Sequence, residues 1–174
     1  LPSQASGKFD LTLSSITITP ERQKTLDFSE GYFKAGLSLV VNRCNKSVTS
    51  TKDLMGRSVG TTKGTTSDKY VQNLKTNGAK ITIKQYAGER EMLSSLRDGD
   101  VDVVVNGSIN SGVILKRASD LKFAGELIQP EFIGVAVKKG DRELLKTVNG
   151  VIQEFRSQGR LNSLFERWLN SQQG

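Results

Sequence analysis

Between Ser14 and Arg22 the chain reads SSITITPER, a run of hydroxyl side chains closed by a proline and an arginine. Thr19 ahead of Pro20 is a helix-start signature, a hydroxyl at the boundary and a proline in the first turn. Arg22 then stands on a short helix just after a polar turn, where its guanidinium can grip a carboxylate or phosphate through a two-bond fork. A surface arginine bonding a neighbouring loop would carry the same sequence. A second candidate is the turn Lys63-Gly64-Thr65-Thr66-Ser67. Free amides at a helix start, beside two threonine hydroxyls, suit an anion, although ordinary capping by Thr66 or Ser67 accounts for the same residues. It is not a nucleotide-type phosphate loop, because its lysine precedes the glycine. The third is Asn106-Gly107-Ser108, which follows a valine-rich run at the strand end where open α/β sheets place ligands.

Composition removes several chemistries. There is no histidine, which excludes histidine triads and histidine zinc sites together with the commonest general base. Cys44 is the one cysteine, so no intrachain disulfide can form. No cofactor and no metal are expected. The net charge of +7 would fit a nucleic acid or an anionic membrane, but the basic residues are scattered and not interleaved with aromatics, so nucleic acid is not an expected partner. No apolar run approaches the roughly 20 residues that span a bilayer. The chain opens at Leu1 without a signal peptide and reads as mature, trimmed or a fragment.

The 174 residues fit one ordinary domain or two small lobes. Phe9, Leu11 and Leu13 alternate with polar residues, which predicts a half-buried strand. Further strands are expected at 37–41, 57–61, 80–86, 100–105, around 121–124 and at 132–137, the run at 101–105 being continuous as in a parallel strand buried on both faces. Helices are expected after the 63–67 turn, at 89–96, at 109–116, from Asp141 through Phe155 and again from Leu161 to Leu169, their apolar stripes (Trp168 included) serving as core. Strands alternating with helices predict an α/β fold with mostly parallel sheets.

The ordered segments GKFD, SSITITPER and LDFSEGYFKAG resemble the bacterial extracytoplasmic solute-binding proteins of polar amino acid ABC transporters. The likeness runs from about Gly7 to the C-terminal end. It implies the two-lobed periplasmic binding protein type 2 fold, with lobe 1 at 1–36 and 134–174, and lobe 2 at 37–133. It further implies that lobe 2 is complete and lobe 1 lacks its leading N-terminal strands, which makes self-association through lobe 1 an expectation. The resemblance implies a non-enzymatic receptor, periplasmic or otherwise extracytoplasmic (lipoprotein-anchored or soluble), that closes on a small amino acid or related carboxylate and presents it to a transporter permease. By the same resemblance Ser15 offers its carbonyl, Thr17 its hydroxyl and amide, Arg22 its guanidinium, and Thr66 with Thr65 closes on the ligand carboxylate.

One position departs from the family pattern. The strand at 101–105 is commonly followed there by an aspartate that pairs with the ligand ammonium, and Gly107 stands in its place. Either weaker groups such as Asn106 and Ser108 then hold the ammonium, or the ligand is not an ordinary α-amino acid, and a left-handed backbone is one reason a glycine would be required. Two alternatives remain beside the transport receptor: a sensing domain of a receptor or channel, and a dehydratase-like enzyme on the same scaffold. The enzyme is disfavoured because no histidine exists and no carboxylate is evidently placed in the site.

Overall fold

The computed structural model describes residues 8–167. Its strands, in chain order, are β1 (Leu11–Thr12), β2 (Leu26–Phe28), β3 (Phe33–Asn42), β4 (Ser58–Thr62), β5 (Thr82–Tyr86), β6 (Val103–Gly107), β7 (Leu121–Ile133) and β8 (Ala136–Lys138). The helices are α1 (Thr66–Thr76), α2 (Glu89–Arg97), α3 (Ser108–Leu115), α4 (Arg142–Ser157) and α5 (Arg160–Phe165). The chain divides into two compact units, Leu1–Ala35 with Pro130–Gly174, and Gly36–Gln129. Residues 168–174, with Trp168 and Leu169 of the expected last stripe, lie outside the described residues, as do 1–7.

The second unit is built on a five-stranded sheet in the order β5-β4-β6-β3-β7. β4 runs parallel to β5 and to β6, while β3 pairs antiparallel with β6. Val103, Val104 and Val105 are each fully buried because β6 is covered on both faces. Val103 and Val105 join Leu39, Val59 and Val71 of α1 in one cluster. Val104 joins Met92, Leu93 and Leu96 of α2 in the other. The continuous valine run therefore serves two cores at once, and only its end, Asn106-Gly107, is left to meet solvent chemistry. A reciprocal clamp ties the sheet at the opposite edge: Ser58 donates its amide (2.8 Å) and hydroxyl (2.7 Å) to Asp102, and the Asp102 amide donates back to Ser58 Oγ at 3.0 Å.

In the first unit β1, β8 and β2 form a small antiparallel sheet. Asp141 caps α4 by accepting from the Leu144 amide at 3.1 Å. Arg156 of α4 binds the Glu30 carboxylate and the Gly31 carbonyl, holding the helix to the segment after β2.

The structure corrects the sequence reading in several places. The expected strand at 9–13 is only Leu11–Thr12, and its apolar face is open, with Phe9, Leu11 and Leu13 at 53%, 40% and 66% exposure. Alternation specifies a face for burial, but no described element packs over this one. The strands expected at 121–124 and 132–137 are joined differently. β7 runs unbroken from Leu121 to Ile133, and β8 is separate. Gly125 (φ 71°) and Gln129 (φ 44°) let β7 bend without ending, and at Gly125 a Cβ would meet the Thr49 carbonyl oxygen at 2.5 Å. Residues 130–133 belong with the first unit, not the second, because Thr17 bridges Ile133 and the Ile18 amide donates to Phe132 O at 2.9 Å. Within the α4 stripe Ile152 is buried but Val151 is 48% exposed.

The Ser58 hydroxyl and amide hold the Asp102 carboxyl below its usual range. A depressed folded-state pKa gives stabilisation that is present above the unfolded value of about 3.9 and lost as pH falls through the folded one. Asp102→Asn should therefore lower the thermal midpoint at pH 7, and the gap from wild type should close as pH drops below about 4. Thermal melts across that range check this, and a gap independent of pH would contradict it.

Candidate functional site

The candidate residues fall into two sets, one in each unit. In the first unit the turn expected at 14–19 is real and is braced from two directions. The Ile16 amide donates to Ser14 O at 2.8 Å, and the Tyr32 hydroxyl donates to the same carbonyl at 2.9 Å. Burial raises the Tyr32 phenol, which keeps it a neutral donor at ordinary pH. Ser15 makes no hydrogen bond of its own among the described residues. Thr17, 8% exposed, lies opposite Ile133, and the flanking Gly134→Ile16 and Ile18→Phe132 bonds fix that register. Its amide points away from this ladder and has no partner among the described residues.

Arg22 opens a short 3-10 turn, Arg22–Lys24, with its amide on Thr19 Oγ1 at 3.3 Å. The turn starts two residues later than the Thr19-Pro20 signature predicts, with Glu21 in the cap position, so Thr19 supports the Arg22 amide from outside the turn and is not its cap. Arg22 Nη1 donates to Thr17 O at 2.8 Å, the single hydrogen bond of the guanidinium among the described residues. That bond aims the planar group while leaving most of its donors unused. Burial lowers the Arg22 pKa from its ordinary value, and the charge of Glu131 works against this.

Glu131 is a residue the sequence reading missed. It lies two residues before Ile133, the partner of Thr17 in an isolated bridge, and its carboxyl meets the Thr17 hydroxyl and the charge of Arg22. Burial raises its carboxyl above the ordinary value, against the opposing pulls of the Arg22 charge and the Thr17 hydroxyl. The available signal was a lone acid immediately before the apolar run Phe132–Val137.

In the second unit, the turn before α1 separates two threonines that the sequence left as a pair. Thr65, not Thr66 or Ser67, is the cap: its Oγ1 accepts from the Asp68 amide at 3.2 Å and donates to Thr62 O at 2.6 Å. The Ser67 hydroxyl sits 2.7 Å from Thr65 Oγ1. Thr65 is therefore fully occupied with the turn. Thr66 is the first helical residue, and its hydroxyl and amide, like the Ser67 amide, have no partner among the described residues. Those are the groups an anion would meet. Asp68 shapes the loop from beneath, accepting from the Gly64 amide at 2.9 Å and from Gln85 Nε2 at 2.7 Å.

At the end of β6, Asn106 is 5% exposed and its Nδ2 donates to Glu89 Oε1 at 3.0 Å. The Ser108 hydroxyl accepts from the Gly36 amide at 3.2 Å. Both expected substitutes for an aspartate thus have structural commitments. Gly107 has φ −60° and ψ 132°, so no left-handed backbone demands glycine there, which corrects the expectation; a Cβ would meet nothing within 4 Å. Among the described residues no group of three or more His, Cys, Asp or Glu is placed to hold a metal, and no helix is long and apolar enough to cross a membrane.

Comparison with known proteins agrees with this architecture. Residues 1–171 match the model of bacterial extracellular solute-binding proteins, family 3. The L-cystine-binding protein TcyJ of Escherichia coli K12 is 31% identical over 173 residues, covering 98% of this chain and 64% of that protein. The glutamine-binding protein GlnH of Bacillus subtilis is 29% identical over 170 residues, covering 97% of this chain and 61% of that one. Among solved structures, an ancestral arginine-binding protein bound to arginine superposes with a TM-score of 0.87 at 35% identity, covering 96% of this chain and 74% of that chain. The chain belongs to family 3 of the bacterial extracellular solute-binding proteins, an extracellular or periplasmic family, and carries its α/β fold. It spans 64% and 61% of the lengths of the two curated relatives.

The two threonines should separate by mutation. Thr65→Ala removes a helix cap and should cost about 1 kcal/mol of stability. Thr66→Ala should leave the unfolding midpoint within about 0.5 kcal/mol of wild type while weakening binding of an anionic ligand. Denaturant melts beside titrations decide, and a larger stability loss at Thr66 than at Thr65 would reverse the assignment.

Proposed function

We propose that this chain is the solute-binding part of an ABC transporter receptor for a small polar amino acid or related carboxylate. The observation that carries the reading is Arg22: a partly buried guanidinium, aimed by one bond to Thr17 O and with its remaining donors unspent. Such a fork matches a carboxylate in shape and charge. The Ser15 carbonyl and the Thr17 amide beside it supply an acceptor and a donor of the kind an α-amino acid needs. Thr66, with the first amides of α1, supplies a second set of anion-binding donors. The family's mode of action, in which the loaded receptor is shown to a permease, gives both sets a role. The relatives are named for binding cystine, glutamine and arginine, which supports a polar amino acid as the ligand.

Calorimetric titration with L-arginine, L-glutamine and L-cystine tests the reading. One of them should bind, and Arg22→Ala should weaken it at least about tenfold, the worth of a charge-assisted fork, without unfolding the chain. Binding of none of the three, or an Arg22→Ala chain that binds as wild type does, would overturn it.

The open apolar side chains of the first unit, Phe9, Leu11, Leu13 and Phe132 among them, give a further expectation. The chain should self-associate as its concentration rises. Sedimentation showing one monomeric species throughout would contradict this.

A further inference from the structure

Glu89 is a half-buried carboxylate at the first position of α2 that nothing above employs. Its Oε1 accepts from Asn106 Nδ2 at 3.0 Å and from Asn110 Nδ2 at 2.8 Å. Both donors are neutral. Among the described residues Glu89 enters no salt bridge, and its Oε2 has no hydrogen bond. Other carboxylates of the same unit are finished structurally. Asp68 uses both oxygens on Gln85 and one also on the Gly64 amide. Asp102 is clamped by Ser58 with Arg57 4.0 Å away, and Asp120 pairs with Arg97 at 2.6 Å. Like Asp68, Glu89 has only neutral partners, but it alone in this comparison is oriented from two sides while one of its oxygens keeps neither a hydrogen bond nor an ion pair among the described residues.

Its surroundings fit a ligand rather than a fold constraint. Asn106 is held in the core at the end of β6, so the amide that aims Glu89 is itself fixed. The next residue, Gly107, has ordinary backbone angles and open space where a side chain would stand. β4, β5 and β6 are followed by α1, α2 and α3, so Glu89 starts its helix at the same carboxyl edge of the sheet as Thr66 and Ser108. A cation moved out of water needs an opposing charge, and an ammonium has three donors and no acceptor.

We propose that Glu89, oriented by Asn106 and Asn110, is the anionic seat for the ligand's ammonium group, which enters over Gly107. The proposal rests on the amino acid receptor reading. It supplies from α2 the carboxylate that position 107 does not carry.

The test uses whichever of L-arginine, L-glutamine and L-cystine binds the wild type tightest, beside the matching compound without the α-amino group: 5-guanidinopentanoate, glutaramate or 3,3′-dithiodipropionate. Glu89→Gln keeps the shape and an acceptor for the asparagines while removing the charge. It should weaken the amino acid about 10–100-fold and leave the des-amino compound unchanged. Gly107→Asp in the Glu89→Gln background should recover most of the loss, since the added carboxylate would occupy the open space. If Glu89→Gln does not fold, Glu89→Asp withdraws the charge by one methylene and should show the same selective loss. Unchanged amino acid affinity, an equal loss for both compounds, or no recovery with Gly107→Asp overturns the assignment. Where Arg22→Ala weakens binding and Glu89→Gln does not, the receptor reading stands and Glu89 is removed from it. Where the wild type binds none of the three, both fall together.

Discussion

A strand buried on both faces can hold polar groups only at its end, and the second unit is arranged around that constraint. Val103 to Val105 are closed off by one cluster on each side, and any charge placed among them would need a partner that valine neighbours cannot give. Chemistry is therefore pushed to Asn106 and Gly107 and to the helix starts that follow β4 and β5. The Ser58–Asp102 clamp sits at the other edge, where it can stiffen the sheet without touching these groups.

The first unit reaches a comparable result by another route. Its positioning comes from hydrogen bonds: Tyr32 on the Ser14 carbonyl, Thr19 on the Arg22 amide, Arg22 on the Thr17 carbonyl. Each bond uses a backbone atom, so the turn's geometry is set even where side chains are open to solvent. The result is an arginine that is aimed without being consumed. Glu131 adds a compensating charge nearby, close enough to offset part of the cost of burying Arg22.

A comparison of Thr65 with Thr66 shows how adjacent, identical side chains acquire different work. One step of the chain changes the backbone from extended at Thr65 to helical at Thr66. The first side chain then folds back over the turn as a cap, and the second faces outward with its amide unpaired. Asn106 and Asn110 show the same principle across a longer interval, since a strand end and the following helix bring both amides to one oxygen of Glu89.

Local pattern determined a good deal of this in the sequence alone. The valine run, the Gly64–Ser67 turn into a helix and the Asp141 cap all appear where short-range preferences put them, because each depends on neighbours a few residues away. The family likeness, carried by SSITITPER and its flanks, extended the reading to fold and to Arg22. What the tertiary structure decided involves partners far apart in the chain. Glu131 meets Arg22 through a single bridge between distant segments, and Glu89 meets Asn106 through a helix packed on a strand. The continuation of β7 through Gly125 depended on the close approach of Thr49. The exposure of Phe9, Leu11 and Leu13 likewise escaped the pattern, since alternation specifies which face could be buried, but only packing decides whether anything covers it.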